Sequence, residues 1–160
     1  GPNAPLDLYA ECDADFAGCD DTYYSTSGYV FMLAGAPISW ISKRQTVAAL
    51  SSTEAELVAL TEACREAIHL RRLMRELGEE PTEPTVIFED NQSCIALALA
   101  ERRKHRTRHM GTRHRFIHDL VKDGTVKLEW KEGTNMAADT MTKPLGPTKF
   151  LQHRRAMLDY

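Results

Sequence analysis

The sequence predicts a single α/β domain, built on a mixed five-stranded sheet whose first three strands are antiparallel, with helices on both faces. Three observations carry that expectation. Short runs rich in aromatic and β-branched residues open the chain, a long helical pattern follows them, and strand-like and helical runs alternate after it. With 160 residues, 42% of them hydrophobic and 27% charged, the chain is long enough for one sizeable core and short for two. Residues 1–160 are therefore read as one domain, with 1–5 as a tag remnant and leader and 147–160 as a C-terminal helix or tail.

Residues 6–13, 28–33 and 37–42 read as the first three strands, and Ala34-Gly35-Ala36-Pro37 punctuates the second and third. Residues 51–77 read as a long helix, stopped by Gly78 and the breakers Pro81 and Pro84. "TVIFED" (85–90) is a short apolar strand that runs straight into a helical segment over 91–100. A basic block then continues as a helix to about Lys122 and ends at Gly124. "TVKLEW" (125–130) is the fifth strand, and Asn135 opens another helix towards Lys143-Pro144. The order is βββαβααβα.

Composition narrows the function classes. No apolar run approaches the roughly 18 residues of a membrane span, and no basic-then-apolar leader is present, so no membrane association is expected. Cys12, Cys19, Cys64 and Cys94 form no C-x-x-C pair and read as buried thiols of a reducing compartment. The net charge of −3 is unevenly spread. "ERRKHRTRHMGTRHR" (101–115) holds 7 of the 20 Lys/Arg against one acid, which leaves the remainder at −9. An acidic body with one basic block suits a polyanion gripped on one side and cations held by carboxylates on another; a solvated basic turn is the alternative.

"ALSSTEAELVAL" (49–60) places two glutamates at a helix start. Glu54 falls three residues after Ser51, the capping-box spacing in which the acid reaches back to a backbone N–H. Stepping from Glu56 by four and three gives Leu60, Ala63, Ala67, Leu70, Met74 and Leu77, so Glu56 extends the stripe that faces the sheet. A carboxylate there is costly unless paired, the alternative being a second capping box from Thr53. The line from Glu54 through Val58, Thr61 and Arg65 is expected to point outward. Asp13 closes the first strand, Asp90 closes "TVIFED", and Asp139 lies in the first turns of the helix begun at Asn135. Each alone also reads as a turn or capping residue. Converging at strand ends, four such acids repel unless cations intervene, and oxygen-only donors favour Mg²⁺ or Mn²⁺. Two ions about 4 Å apart are the usual apparatus of phosphodiester hydrolysis.

"YAECDADFAGCDDTYYSTSGYVF", "PISWISKRQTVAALSSTEAELVALTEA", "EDNQSCIAL" and "NMAADTMTKPL" together resemble the ribonuclease H domain of copia-type LTR retrotransposon polyproteins, over roughly residues 7–150. The resemblance implies the ribonuclease H fold, with the parallel strand pairing that the patterns leave open. It also implies two Mg²⁺ (Mn²⁺ as a substitute) on a catalytic set Asp13, Glu56, Asp90 and Asp139 that cuts the RNA strand of an RNA/DNA hybrid, with Asp15 the rival for the first position. For grip it implies Asn91 and Gln92 in the minor groove and Ser51 and Ser52 at a phosphate, although both serines also suit capping. Arg102, Arg103, Lys104 and Arg106 of the basic block, and Lys43-Arg44, are the phosphate-contact candidates, Lys43-Arg44 reading equally as a solvated strand end. Expected partners are the hybrid and the reverse transcriptase domain of the same polyprotein, for a chain monomeric when isolated and cytoplasmic within virus-like particles. Two departures stand out. "EWKEGTNMAAD" lacks the histidine that cellular ribonucleases H often carry there, and "HMGTRHRF" has Gly111, His114 and Arg115 where the family string is less basic. A catalytically silent hybrid-binding or reverse-transcriptase-packing domain, and a DNA integrase or junction resolvase on the same fold, are the competing classes.

Overall fold

The computed structural model describes residues 6–18, 22–101 and 108–158. Cys19 and the basic residues Arg102, Arg103, Lys104 and Arg106 lie outside the described residues, as do 1–5. Three strands come first: β1 (Leu8–Asp15), β2 (Thr26–Leu33) and β3 (Ala36–Arg44). β2 and β3 are joined by the two-residue loop Ala34-Gly35, both at positive φ (51° and 83°), the turn whose twist matches an antiparallel pair. Pro37 sits on β3, an edge strand where a missing N–H is tolerated, and the register slips by one residue between Phe31 and Met32.

α1 (Ser52–Glu76) crosses the sheet and leads to β4 (Thr85–Glu89), which pairs parallel with β1; α2 (Gln92–Leu99) and α3 (Arg108–Lys122) precede β5 (Val126–Trp130), parallel to β4. The sheet order is β3-β2-β1-β4-β5, mixed as expected. The main core lies between the sheet and α1, where Ala10, Cys12, Phe31 and Ile87 meet Leu57, Leu60, Ala63 and Ala67. On the other face Val30 and Met32 pack with Ala137 and Met157, so α4 (Asp139–Thr142) and α5 (Pro147–Leu158) cover that side. β1, roofed on both faces, is therefore buried almost along its whole length.

Three expectations need correction. Val58 and Thr61 are buried, because α1 is flanked by α3 as well as the sheet, and the Thr61 hydroxyl donates back to the Leu57 carbonyl at 2.7 Å. Leu77 is exposed, being the C-cap at the end of the helix. The helix expected from Asn135 is instead a 3-10 turn at Gly133–Asn135 followed by the four-residue α4.

Candidate active site

β1 and β4 run side by side in the same direction, with Glu11 paired to Phe88, so Asp13 near the end of β1 and Asp90 just after β4 reach the same edge of the sheet. Glu56 comes down onto that edge from the second turn of α1. The donor oxygens of Asp13, Glu56 and Asp90 all lie within 4.8 Å of one another. Asp13 is 1% exposed and Glu56 5%, and one Glu56 oxygen, Oε2, is buried with no hydrogen-bond partner.

Asp139, also buried, joins this trio through Lys143, one turn further along the chain. The Lys143 ammonium lies 3.0 Å from Asp139 Oδ1 and 3.1 Å from Asp13 Oδ2. The Thr142 hydroxyl donates to the same Asp13 carboxylate. Lys149 Nζ stands 3.7 Å from the other Asp139 oxygen.

Two features let α4 approach so closely. Gly28 is paired with Asp13 across β1 and β2, and a Cβ there would meet Thr142 Cγ2 at 2.6 Å and Met141 Cβ at 2.7 Å. Glu11, on β1 two residues before Asp13, accepts the backbone N–H groups of Ala137 and Ala138 and the Lys131 ammonium, which fixes the segment entering α4. Asp90 is held from the other side, where Trp130 Nε1 donates to its carbonyl at 3.1 Å.

Burial is the first cause of the electrostatics. It pushes the Glu56 carboxyl up to about 11, reinforced by the negative charges of Glu89, Asp13 and Asp90 and opposed by Lys143. Asp13 is also raised by burial, although Thr142 and Lys143 pull the other way. Glu89, completely buried, is raised to about 8 by burial while the Asn91 N–H (3.0 Å) and the Cys12 thiol (3.3 Å) donate to it.

The other predicted residues fall around this edge. Ser51 is the N-cap of α1: its Oγ accepts the Glu54 N–H at 3.2 Å, while Glu54 Oε2 accepts the Leu50 N–H at 2.8 Å, one residue before the cap. Ser52 begins the helix and is exposed. Asn91, not Asp90, caps α2 by accepting the Cys94 N–H at 2.9 Å, and Gln92 is exposed beside it. Asp15 is not in the trio; its carboxylate lies against Gly18 in the following turn. Lys43 and Arg44 are exposed at the end of β3.

Sequence reasoning passes over Glu89, Lys143, Gly28 and Glu11. The first two leave a signal. Glu89 continues the alternate buried positions Thr85 and Ile87, and Lys143 stands four residues after Asp139, the spacing of a helical ion pair. A tight backbone approach such as that of Gly28 leaves no local mark.

No family model matches the chain. It is 40% identical over 150 residues (94% of the chain) to the Retrovirus-related Pol polyprotein from transposon TNT 1-94 of Nicotiana tabacum. It is 38% identical over 145 residues (91%) to that of transposon RE1 of Arabidopsis thaliana. The chain spans about a tenth of these relatives, 11% and 10% of their lengths. Among solved structures, LC11-RNase H1 isolated from compost superimposes with a TM-score of 0.63 at 13% identity, covering 86% of this chain and 93% of that one. The same enzyme in complex with an RNA/DNA hybrid gives 0.59 at 10% identity, over 84% and 93%. The protease-reverse transcriptase of prototype foamy virus gives 0.50 at 12%, over 88% of this chain and 21% of that one. The chain is thus a homologue of one segment of the Pol polyproteins of copia-type transposons, and that segment has the ribonuclease H fold.

Proposed function

We propose that this chain is an endonuclease that hydrolyses the RNA strand of RNA/DNA hybrids during retrotransposon reverse transcription, leaving 5′-phosphate and 3′-hydroxyl ends. The observation that carries the reading is the carboxylate trio: three acids from three elements, donor oxygens within 4.8 Å, with one buried Glu56 oxygen lacking a partner. Such a set is unfavourable without a cation, and its oxygen-only chemistry fits Mg²⁺, with Mn²⁺ as substitute. Asp13, Glu56 and Asp90 would hold one ion, and Asp13 with Asp139 a second. When bound, the ions supply an activated water and neutralise charge on the leaving oxygen.

The remaining residues grip and orient. Ser51 accepts the Glu54 N–H through its hydroxyl oxygen but keeps its hydroxyl proton for a phosphate oxygen, beside the exposed start of α1 at Ser52. Asn91 commits its carbonyl to the α2 cap and keeps its NH₂ group, next to Gln92, for the minor groove and its 2′-hydroxyls. Arg102, Arg103, Lys104 and Arg106 supply phosphate neutralisation. The LC11 enzyme bound to a hybrid and the foamy virus protease-reverse transcriptase support the substrate and a reverse transcriptase partner in the same polyprotein.

The test is a panel of labelled RNA/DNA, DNA/DNA and RNA/RNA duplexes with Mg²⁺, Mn²⁺ or EDTA. Cleavage confined to the RNA of the hybrid and abolished by EDTA is expected; binding without cutting would favour a silent domain, and equal cutting of duplex DNA a different nuclease.

A further inference from the structure

The two halves of the site differ in how their charge is balanced. Among the described residues, the ion pairs of the four acids Asp13, Glu56, Asp90 and Asp139 all fall on Asp13 and Asp139. The Lys143 ammonium reaches three carboxylate oxygens at once, Asp13 Oδ1 at 3.2 Å, Asp13 Oδ2 at 3.1 Å and Asp139 Oδ1 at 3.0 Å, matching its three N–H donors. Glu56 and Asp90, the other two acids of the trio, have no ion pair among the described residues, and Glu56 Oε2 is buried without a hydrogen-bond partner. Lys143 is also placed to leave. Its side chain is 35% exposed, it rides on a flexible four-carbon stem, and its tether point is the C-cap of the four-residue α4.

We infer that the Lys143 ammonium occupies the second cation position of the site, between Asp13 and Asp139, so that a divalent ion settles there only by displacing it. The inference rests on the metal reading above and concerns the order and strength of binding. A first ion would be held by Asp13, Glu56 and Asp90, of which Lys143 touches Asp13 alone, so that Glu56 and Asp90 are open to it. The second competes with a tethered monovalent cation that already satisfies both carboxylates. A seat that its own lysine leaves open only a tenth of the time weakens the apparent affinity of an entering ion about tenfold. Lys149 does not play this part, since it stands 3.7 Å from the outer Asp139 oxygen and pairs with Asp139 alone.

The experiment is a Mn²⁺ titration of the nucleic-acid-free protein, followed by calorimetry and by the electron paramagnetic resonance of free Mn²⁺, on wild type, Lys143→Met and Lys149→Met. Metal-free melting is recorded on each, and Lys143→Gln serves as a second variant if Met perturbs folding. Wild type should bind one ion tightly and a second at least about tenfold more weakly. Lys143→Met should tighten the second step about tenfold and the first, which shares Asp13, by less, and melt lower without metal because Asp13 and Asp139 lose their counter-charge. Lys149→Met removes an equal charge nearby and should shift the second step less. Two ions bound by wild type, with a second step unmoved in Lys143→Met and Lys143→Gln or moved as much in Lys149→Met, would overturn the inference and leave the metal reading intact. No ion bound by any variant would overturn both.

Discussion

Glu54 and Glu56 are two residues apart and meet opposite surroundings. Glu54 closes the start of α1 by accepting the Leu50 N–H, a local task that glutamine also performs. Glu56 is buried among Glu89, Asp13 and Asp90 and is held neutral up to about pH 11 in the absence of metal. Glu54→Ala should therefore cost about 0.5 to 2 kcal/mol in denaturant unfolding, the range of other lost caps, with metal binding unchanged. Glu56→Gln should raise the metal-free melting temperature and abolish tight binding of the first ion. The pH dependence has a definite sign. Glu56 and Glu89 carry folded-state values above their ordinary 4.5, so the folded chain binds more protons than the unfolded one and stability falls with rising pH. The penalty is absent below about pH 4.5 and grows as pH rises towards 8 for Glu89 and 11 for Glu56. Metal-free melting between pH 5 and 9 should thus slope downward, and more gently in Glu56→Gln; an identical slope in both proteins would contradict this account of Glu56.

At the scale of elements, the site depends on how closely α4 lies on β1 and β2. Gly28 permits that approach, and Gly28→Ala places a methyl 2.6 Å from Thr142 Cγ2. The clash should cost about 1–3 kcal/mol by urea unfolding and weaken metal binding by shifting Asp139 away from Asp13. Unaltered metal binding in a destabilised variant would separate α4 packing from the site. The elements also show what local sequence carries. The hairpin at Ala34-Gly35, the start of α1 at its Ser51 cap and the strand ending at Asp90 are written in turn residues, periodicity and capping chemistry within a few positions. The parallel pairing of β1 with β4 is not, because it joins Glu11 to Phe88 across the whole of α1 and follows only from the family resemblance. Local patterns misplace α4 for a related reason. Its entry is set by Glu11, more than 120 residues away, through the N–H groups of Ala137 and Ala138. Glu89 escapes notice because a carboxylate at a strand end looks solvated until the strand is known to be covered by α1.

For the whole molecule, the proposed function gives the chemistry to the acidic body and the grip to the one basic block. Arg113 already shows that not every cation of the block faces solvent: it is half-buried beside Glu62 on α1, 3.9 Å from its carboxylate. The residues Arg102, Arg103, Lys104 and Arg106 are the ones assigned to phosphates. Replacing these four with alanine should reduce the slope of log affinity against log salt for a hybrid by about 0.9 for each phosphate no longer neutralised. An unchanged slope would mean that the block faces away from the nucleic acid.

Whether the carboxylate trio hydrolyses the phosphodiester is decided by cleavage of an RNA/DNA hybrid labelled on each strand, in Mg²⁺, by wild type and Glu56→Gln at equal protein and hybrid concentrations, with hybrid binding measured in parallel. Wild type should cut only the RNA strand, and Glu56→Gln should bind the hybrid, melt no lower than wild type without metal, and not cut. Cleavage by Glu56→Gln at the wild-type rate would contradict this, since the carboxylate trio would then not be where the phosphodiester is hydrolysed.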